Sequence, residues 1–270
     1  HQMKLRHRKG RRSALIIPDC HATPDYCNTR FDWLGRFARE LDPDYVICLG
    51  DWYDFPSLSR HDPLGSRTME GVRYIDDLKA GDDAMDRFEH FYNRKGRARK
   101  IVTLGNHDVR PDIAAANMPN LYGAIGCHDL VFNQPGSDWE VVPYRRSITI
   151  EGIVISHHQS AGISGRPIGG ANMARALVTQ KHVSCIVGHA HILQHSEHTR
   201  GDGQKIFGLS GGCYGHPDYA QDACPRAMWA RDTAEMWWRG VIVIGDMDGS
   251  GYYDDIRFVT QRWMRRYYSG

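Results

Sequence analysis

Five times along this 270-residue chain a short run of aliphatic, mostly β-branched side chains stops abruptly in polar residues. Residues 14–17 end in Pro18-Asp19-Cys20-His21, 45–49 in Gly50-Asp51, 101–104 in Gly105-Asn106-His107-Asp108, 153–156 in His157-His158, and 184–187 in Gly188-His189-Ala190-His191. Uninterrupted apolar runs of this length, bounded by turn residues, are the pattern of strands buried on both faces. Between them, spacings of three and four put Phe31, Leu34, Phe37, Ala38 and Leu41 on one face of a helix over 28–41, with Asn28 or Thr29 as cap. A second helix is predicted over 69–92, broken near Gly81, and a third over 171–178. Alternation of strand and helix implies a substantially parallel sheet, in which ligands bind beyond the carboxyl ends of the strands. All five polar clusters fall at such ends.

The second half reads differently. Residues 139–150, 192–198, 205–209 and 239–246 have strand character and are joined by tight turns, including a hairpin at Gly201-Asp202-Gly203. They predict a second, mixed sheet packed on the first. No linker divides the chain, so a single domain is expected, with a core over about 14–246, a basic N-terminal tail at 1–12 and a C-terminal extension at 247–270.

Charge and cysteine usage narrow the function classes. Lys plus Arg is 34 against 32 for Asp plus Glu, a net charge of +2, so no global field draws the chain to nucleic acid or an anionic membrane. No uncharged apolar run approaches a membrane span. The 7 cysteines are odd in number and scattered without a CxxC pair, which suggests neither a thiolate zinc site nor a disulfide framework. Together with an apolar stretch at 14–18 too short for a signal peptide, this predicts a cytoplasmic protein.

The 15 histidines carry the chemistry. In extended chain, residues two apart point the same way, so Asp19 with His21, and His189 with His191, can each reach a common centre. Asp51, Asn106 and His157 or His158 join them from the other strand ends. Gly50, Gly105 and Gly188 are expected to permit the sharp turn after each strand. Seven mixed nitrogen and oxygen donors exceed one tetrahedral zinc and suit two divalent ions sharing a carboxylate, with Mn, Fe, Zn, Co and Ni all compatible.

The ordered series Asp19-x-His21, Gly50-Asp51-x-x-Asp54, Gly105-Asn106-His107-Asp108, His157, Gly188-His189-x-His191 resembles the calcineurin-like metallophosphoesterase superfamily. The resemblance implies an α/β fold, a four-layer α/β/β/α sandwich of two mixed sheets flanked by helices. It also implies one metal on Asp19, His21 and His191, a second on Asn106, His157 and His189, and Asp51 bridging. His157 is preferred because members ligate through the first histidine after the strand, and His158 is held in reserve behind the ligands. His107 would be the catalytic histidine with Asp108 orienting it, while Asp54 matches a position that supports a ligand. Hydrolysis would proceed by hydroxide held between two ions about 3.5–4 Å apart, His107 assisting the leaving group.

The substrate is less constrained. Protein phosphatases of this superfamily show Gly-Asp-x-His-Gly, Asp-Arg-Gly and Gly-Asn-His-Glu. Here Asp19-Cys20-His21-Ala22, Asp54-Phe55-Pro56 and Gly105-Asn106-His107-Asp108 stand instead, which disfavours that activity. The stretch LGDWYDFPSLSRHD at 49–62 and the late Trp237-Trp238-Arg239-Gly240 are similar to small phosphoesterases of phage and prokaryotic genomes. Candidate substrate contacts are Arg60, His61, Arg166 and the glycine-rich loop 211–215. A small phosphodiester or nucleotide is the expected substrate. A nuclease using the basic, aromatic chain ends to bind nucleic acid, and a non-catalytic phosphate-binding scaffold, stay open at this point.

Overall fold

The computed structural model describes residues 10–60, 62, 65–163, 165–218 and 231–269. Each of the five apolar runs is a strand. Strands β1 (Arg12–Ile17), β2 (Tyr45–Cys48), β3 (Arg99–Thr103) and β4 (Trp139–Val142) lie side by side and parallel. Next come β5 (Ile148–Ile150), β6 (Ile153–Ser156), the two-residue pair β7 (Ser160–Ala161) and β8 (Arg166–Pro167), β9 (Cys185–Val187), β10 (Leu193–Thr199) and β11 (Lys205–Gly211). Apart from β7 and β8 these form a five-stranded sheet, β10-β11-β9-β6-β5, with its three central strands parallel. The chain then returns to the first sheet, where β12 (Gly240–Met247) and β13 (Asp255–Thr260) complete the order β13-β12-β1-β2-β3-β4, antiparallel to their neighbours.

Helices α1 (Thr29–Leu41) and α2 (Tyr74–Tyr92) cover the outer face of the six-stranded sheet. The short α3 (Arg110–Asn117) follows β3, and α4 (Met173–Lys181) covers the five-stranded sheet. After the single turn α5 (Arg231–Ala234), α6 (Gln261–Tyr268) closes the chain against α1. Side chains alternate accordingly. Leu15 and Ile17 of β1 pack toward α1 and α2, whereas Ala14 and Ile16 meet Ile155, Ile186 and Leu209 of the other sheet. On β9, Ile186 faces the opposite sheet while Cys185 and Val187 face α4. Three apolar cores therefore separate four layers, the α/β/β/α sandwich. Each fully buried Ile, Leu or Val contributes about 1.5–3 kcal/mol, and two-faced burial accounts for the uninterrupted apolar runs at 14–17 and 46–49.

Several expectations change. Residues 139–150 are not one strand: β4 pairs in the first sheet and β5 in the second. The 239–246 run likewise belongs to the first sheet, where β12 sits between β1 and β13 and is buried on both faces. Hydrophobic pattern records burial and leaves the partner open. Helix α2 runs unbroken through Gly81, whose Cα lies on the Tyr53 ring; a Cβ there would fall 1.9 Å from Tyr53 Cε1. Glycine is required by close approach and does not interrupt the helix. Asn28 stands at the N-cap of α1, but its side chain donates to the Ala80 carbonyl (2.7 Å) and to Asp83 (3.0 Å), tying α1 to α2.

The C-terminal segment is integrated: β13 extends the sheet, and Met264 and Tyr268 of α6 are buried in the helix-side core. Trp263 and Tyr267 stack on each other at 4.9 Å. Of the basic N-terminal residues, Arg11 pairs with Asp248 (2.6 Å) and Arg12 with Asp44 (2.9 Å), and positions 1–9 lie outside the described residues. No helix among the described residues is long and apolar enough to cross a membrane.

Candidate metal centre

The six-stranded sheet delivers Asp19 and His21 after β1, Asp51 and Asp54 after β2, and Asn106 and His107 after β3. The five-stranded sheet delivers His157 after β6, and His189 and His191 after β9. All converge at the carboxyl ends of parallel strands. Three sets of donor atoms lie within 4.8 Å of one another: Asp19, His21 and His191; Asp51, His157 and His189; and His21, Asp51 and His107. Asn106 completes the second set, its Oδ1 lying 3.0 Å from His157 Nε2 and 2.9 Å from His189 Nδ1.

Backbone strain marks the same loops. His21, Asp51, His189 and His191 all have positive φ, between 46° and 68°, at a cost of about 1–3 kcal/mol each. Two glycines make room for carboxylates. A Cβ on Gly105 would sit 2.0 Å from Asp51 Oδ1, and one on Gly188 would sit 2.1 Å from Asp19 Oδ1. Only Gly50 of the three expected turn glycines has a positive φ, of 95°. The other two serve close approach and not chain reversal.

The hydrogen bonds behind the donors fix which ring nitrogens face the centre. His157 Nδ1 donates to the Leu49 carbonyl (2.8 Å), so its Nε2 presents a lone pair to Asn106 Oδ1 and to Asp51 Oδ2, 3.4 Å away. His21 Nδ1 is held by Asp54 Oδ1 (2.9 Å), which turns its Nε2 toward His191 Nε2 (3.0 Å). His191 Nε2 is also 3.2 Å from Asp19 Oδ2. Asp19 Oδ2 accepts the His189 backbone N–H (2.7 Å), while its Oδ1 is buried with no hydrogen-bond partner. Lone pairs aimed at one another across 3 Å repel unless a cation lies between them, and a buried carboxylate oxygen without a donor has the same need. The donor set fits a divalent metal, with ligand tautomers fixed from behind by Leu49 and Asp54.

The electrostatics agree. Burial works to raise the Asp19 and Asp51 carboxyls, but the His191 hydrogen bond and His157 field for Asp19, and the His157, His107 and His21 fields for Asp51, outweigh it and hold both ionised. Burial opposes charge on His21, yet Asp54 overcomes it and lifts the imidazole to about 9. Burial also opposes charge on His157, and there the Asp51 and Asp19 carboxylates prevail and raise it. The two carboxylates thus draw positive charge into their midst, which a metal ion supplies without protons.

His107 and its neighbours depart from expectation in one respect. Asp108 does not orient His107. Its carboxylate accepts backbone N–H bonds from Gly105 (2.9 Å) and Tyr53 (3.1 Å), and burial followed by the Asp51 field raises it to about 6. Asp108 thereby joins the β2 and β3 loops. Orientation comes from Asp54, whose carbonyl (2.8 Å) and Oδ1 (3.0 Å) both face His107 Nδ1, while the His107 N–H donates to Asp51 Oδ1 (2.8 Å). Asp54 therefore stands behind both His21 and His107. His158 is outside all three sets. Burial and then the fields of His157 and His189 push it down to about 4, and its Nδ1 is buried without a partner.

Of the substrate candidates, Arg60 is exposed beyond the turn Pro56–Leu58, Arg166 is exposed on β8, and His61 lies outside the described residues. The loop 211–215 is no open phosphate cradle. It is buried, with the Cys213 N–H bonded to the Trp238 carbonyl and the Tyr214 N–H to that of Asp19. Sequence inspection missed Arg110, the first residue of α3, whose Nη2 lies 3.3 Å from His107 Nε2. Its signal was a cation at a helix start three residues after the Asn-His pair.

A four-layer sandwich thus gathers a largely buried Asp, His and Asn donor set at its strand ends, the constitution of a metal-binding protein. The sequence matches the calcineurin-like phosphoesterase family over residues 13–253, and the chain belongs to that family. It is a metal-dependent phosphoric ester hydrolase that uses divalent metal. Among curated proteins the sequence finds no match.

Proposed function

We propose that the protein is a two-metal phosphoesterase acting on a small phosphodiester or nucleotide. Asp19, His21 and His191 would hold one ion, Asn106, His157 and His189 the other, with Asp51 common to both. The observation that carries this reading is the position of Asp51 Oδ2, 3.4 Å from His157 Nε2 on one side and 4.0 Å from His21 Nε2 on the other. Divalent ions bound there would neutralise phosphoryl oxygens and lower the pKa of a coordinated water. The chain's own residues supply the rest. Asp54 keeps the Nδ1 of His107 occupied, so that Nε2 is the nitrogen available toward a leaving oxygen; protonated there, it gives charge or a proton. Burial of Asp19, Asp51 and Asp54 keeps these charges in a low dielectric, where they act more strongly than in water.

The pairing of Arg11 and Arg12 with aspartates, and of Trp263 with Tyr267, supports a small substrate over nucleic acid. The test is a screen of Mn, Fe, Zn, Co and Ni against a nitrophenyl monoester, a nitrophenyl diester, cyclic nucleotides and single-stranded DNA. Turnover of a small ester is expected and would eliminate the scaffold alternative. Turnover of DNA alone would establish the nuclease, and no turnover with any metal would overturn the catalytic reading.

A further inference from the structure

Arg110 occupies a place that the fold alone does not explain. Its Nη1 donates to the carbonyls of Asp54 (3.0 Å) and Phe55 (3.1 Å), fixing one edge of the guanidinium to the β2 loop. Phe55 itself has a positive φ of 49°, so this loop is held in a demanding conformation. Nη2 reaches His107 Nε2 at 3.3 Å. Since His107 Nδ1 already donates to the Asp54 carbonyl, Nε2 is the acceptor and Arg110 the donor. The group is half-buried, and among the described residues no carboxylate pairs with it. His107 in turn belongs to the set it forms with His21 and Asp51. A permanent cation thus stands one imidazole away from the centre, with its Nε–H and one Nη2–H outside these bonds. A partly desolvated guanidinium is best satisfied by a planar pair of anionic oxygens, which a phosphoryl group offers.

We infer that Arg110 is a phosphate-contacting residue of this site: on substrate binding its Nη2 leaves His107 Nε2 for a non-bridging phosphoryl oxygen. The exchange couples recognition to readiness. While the site is free, Arg110 occupies the nitrogen that must face the leaving oxygen; a bound phosphate withdraws that donor and exposes Nε2. No bond to phosphorus forms or breaks in this step, and the charge of Arg110 is unchanged. The carbonyls of Asp54 and Phe55 hold Nη1 throughout, so the guanidinium pivots about a fixed edge.

This inference rests on the phosphoesterase reading for its substrate, but its test does not depend on turnover. Inorganic phosphate is titrated calorimetrically into metal-loaded wild-type protein, Arg110→Gln and Arg110→Lys, with metal content and melting temperature measured on the same samples. Arg110→Gln is expected to keep wild-type metal content and to bind phosphate about 10- to 100-fold more weakly, the value of a charge-assisted hydrogen bond. KM for a nitrophenyl ester should rise by a similar factor. Arg110→Lys, which keeps the charge but cannot span both carbonyls and the phosphate, should fall between the two. Phosphate affinity of Arg110→Gln within about threefold of wild type would overturn the inference. So would equal loss of phosphate affinity and metal in both variants, which would show Arg110 to be a brace for the β2 loop. If wild type hydrolyses no ester yet binds phosphate in an Arg110-dependent way, the catalytic reading fails and this one stands. If it hydrolyses esters while Arg110→Gln binds phosphate normally, the reverse holds.

Discussion

Replacing Gly105 by alanine drives a methyl group into the carboxylate at the middle of the centre. The added carbon would lie 2.0 Å from Asp51 Oδ1, 2.6 Å from the Asp51 nitrogen and 2.7 Å from its Cγ. Carbon needs about 3.5 Å from a non-bonded heavy atom, so the carboxylate must retreat by about 1.5 Å. Rotation about the side chain does not relieve the clash, because the backbone nitrogen is obstructed as well. The Gly50-Asp51 turn must move, although a Cβ-sized approach to the Thr103 carbonyl already constrains it at Gly50. Overpacking of this kind costs about 1–3 kcal/mol, and loss of the His107 N–H bond to Asp51 adds about 1.5–3 kcal/mol. A shift above 1 Å at a reacting centre costs about 10²-fold in rate. Metal affinity and ester hydrolysis should both collapse in Gly105→Ala, measured by metal titration and initial rates, with melting temperature followed with and without chelator. Gly169→Ala is the control, since nothing lies within 4 Å of that position. Wild-type metal affinity and rate in Gly105→Ala would refute the claim that Asp51 is held by shape and that both donor sets depend on it.

Asp51→Asn should lower metal occupancy from about two ions per chain at both sets; elemental analysis finding one ion or none in saturated wild type would contradict a shared carboxylate. His157→Ala should weaken metal binding much more than His158→Ala does, and equal affinities or the opposite order in a metal titration would reassign the ligand. His107→Ala should retain metal and fold while losing about 10²–10⁴ in kcat for an alkyl phosphate ester and less for a nitrophenyl ester, whose leaving group departs without a proton; equal losses would remove His107 from the leaving-group side. Asp108→Asn, which weakens the bonds to the Tyr53 and Gly105 N–H groups, should lower the melting temperature and depress both ester types alike, and ester-dependent loss would restore Asp108 to the His107 pair.

Much of the centre was legible because a strand's carboxyl end is recognisable without knowing its neighbours. Asp19, His21, Asp51, Asn106, His157, His189 and His191 each follow an apolar run, and parallel topology brings such ends together. What the sequence concealed was lateral. Nothing in residues 139–150 reveals that β4 and β5 part between sheets, because both are apolar runs with the same local signal. Asp108 sits beside His107 in sequence but behind it in space, while Asp54, more than fifty residues away, takes the ring nitrogen. Gly81 has the composition of a breaker and the role of a contact surface for Tyr53. Arg110 was hidden because an arginine at a helix start is ordinary until the ring it faces is known.

The division of donors between the sheets bears on how the protein is made. Asp19, His21, Asp51 and Asn106 lie within the first 106 residues, but His157, His189 and His191 come from the later sheet, so a nascent chain that has folded only its first four strands lacks His191 of the first proposed set and both histidines of the second. Neither sheet holds three donors for the proposed second ion. On the two-ion reading, the second site gains its two histidines only after β9 has emerged and the two sheets have closed on their shared apolar layer. On that reading a truncation before residue 189, which removes His189 and His191, would leave both sites short of a donor and at the same time strip β12 and β13 from the first sheet.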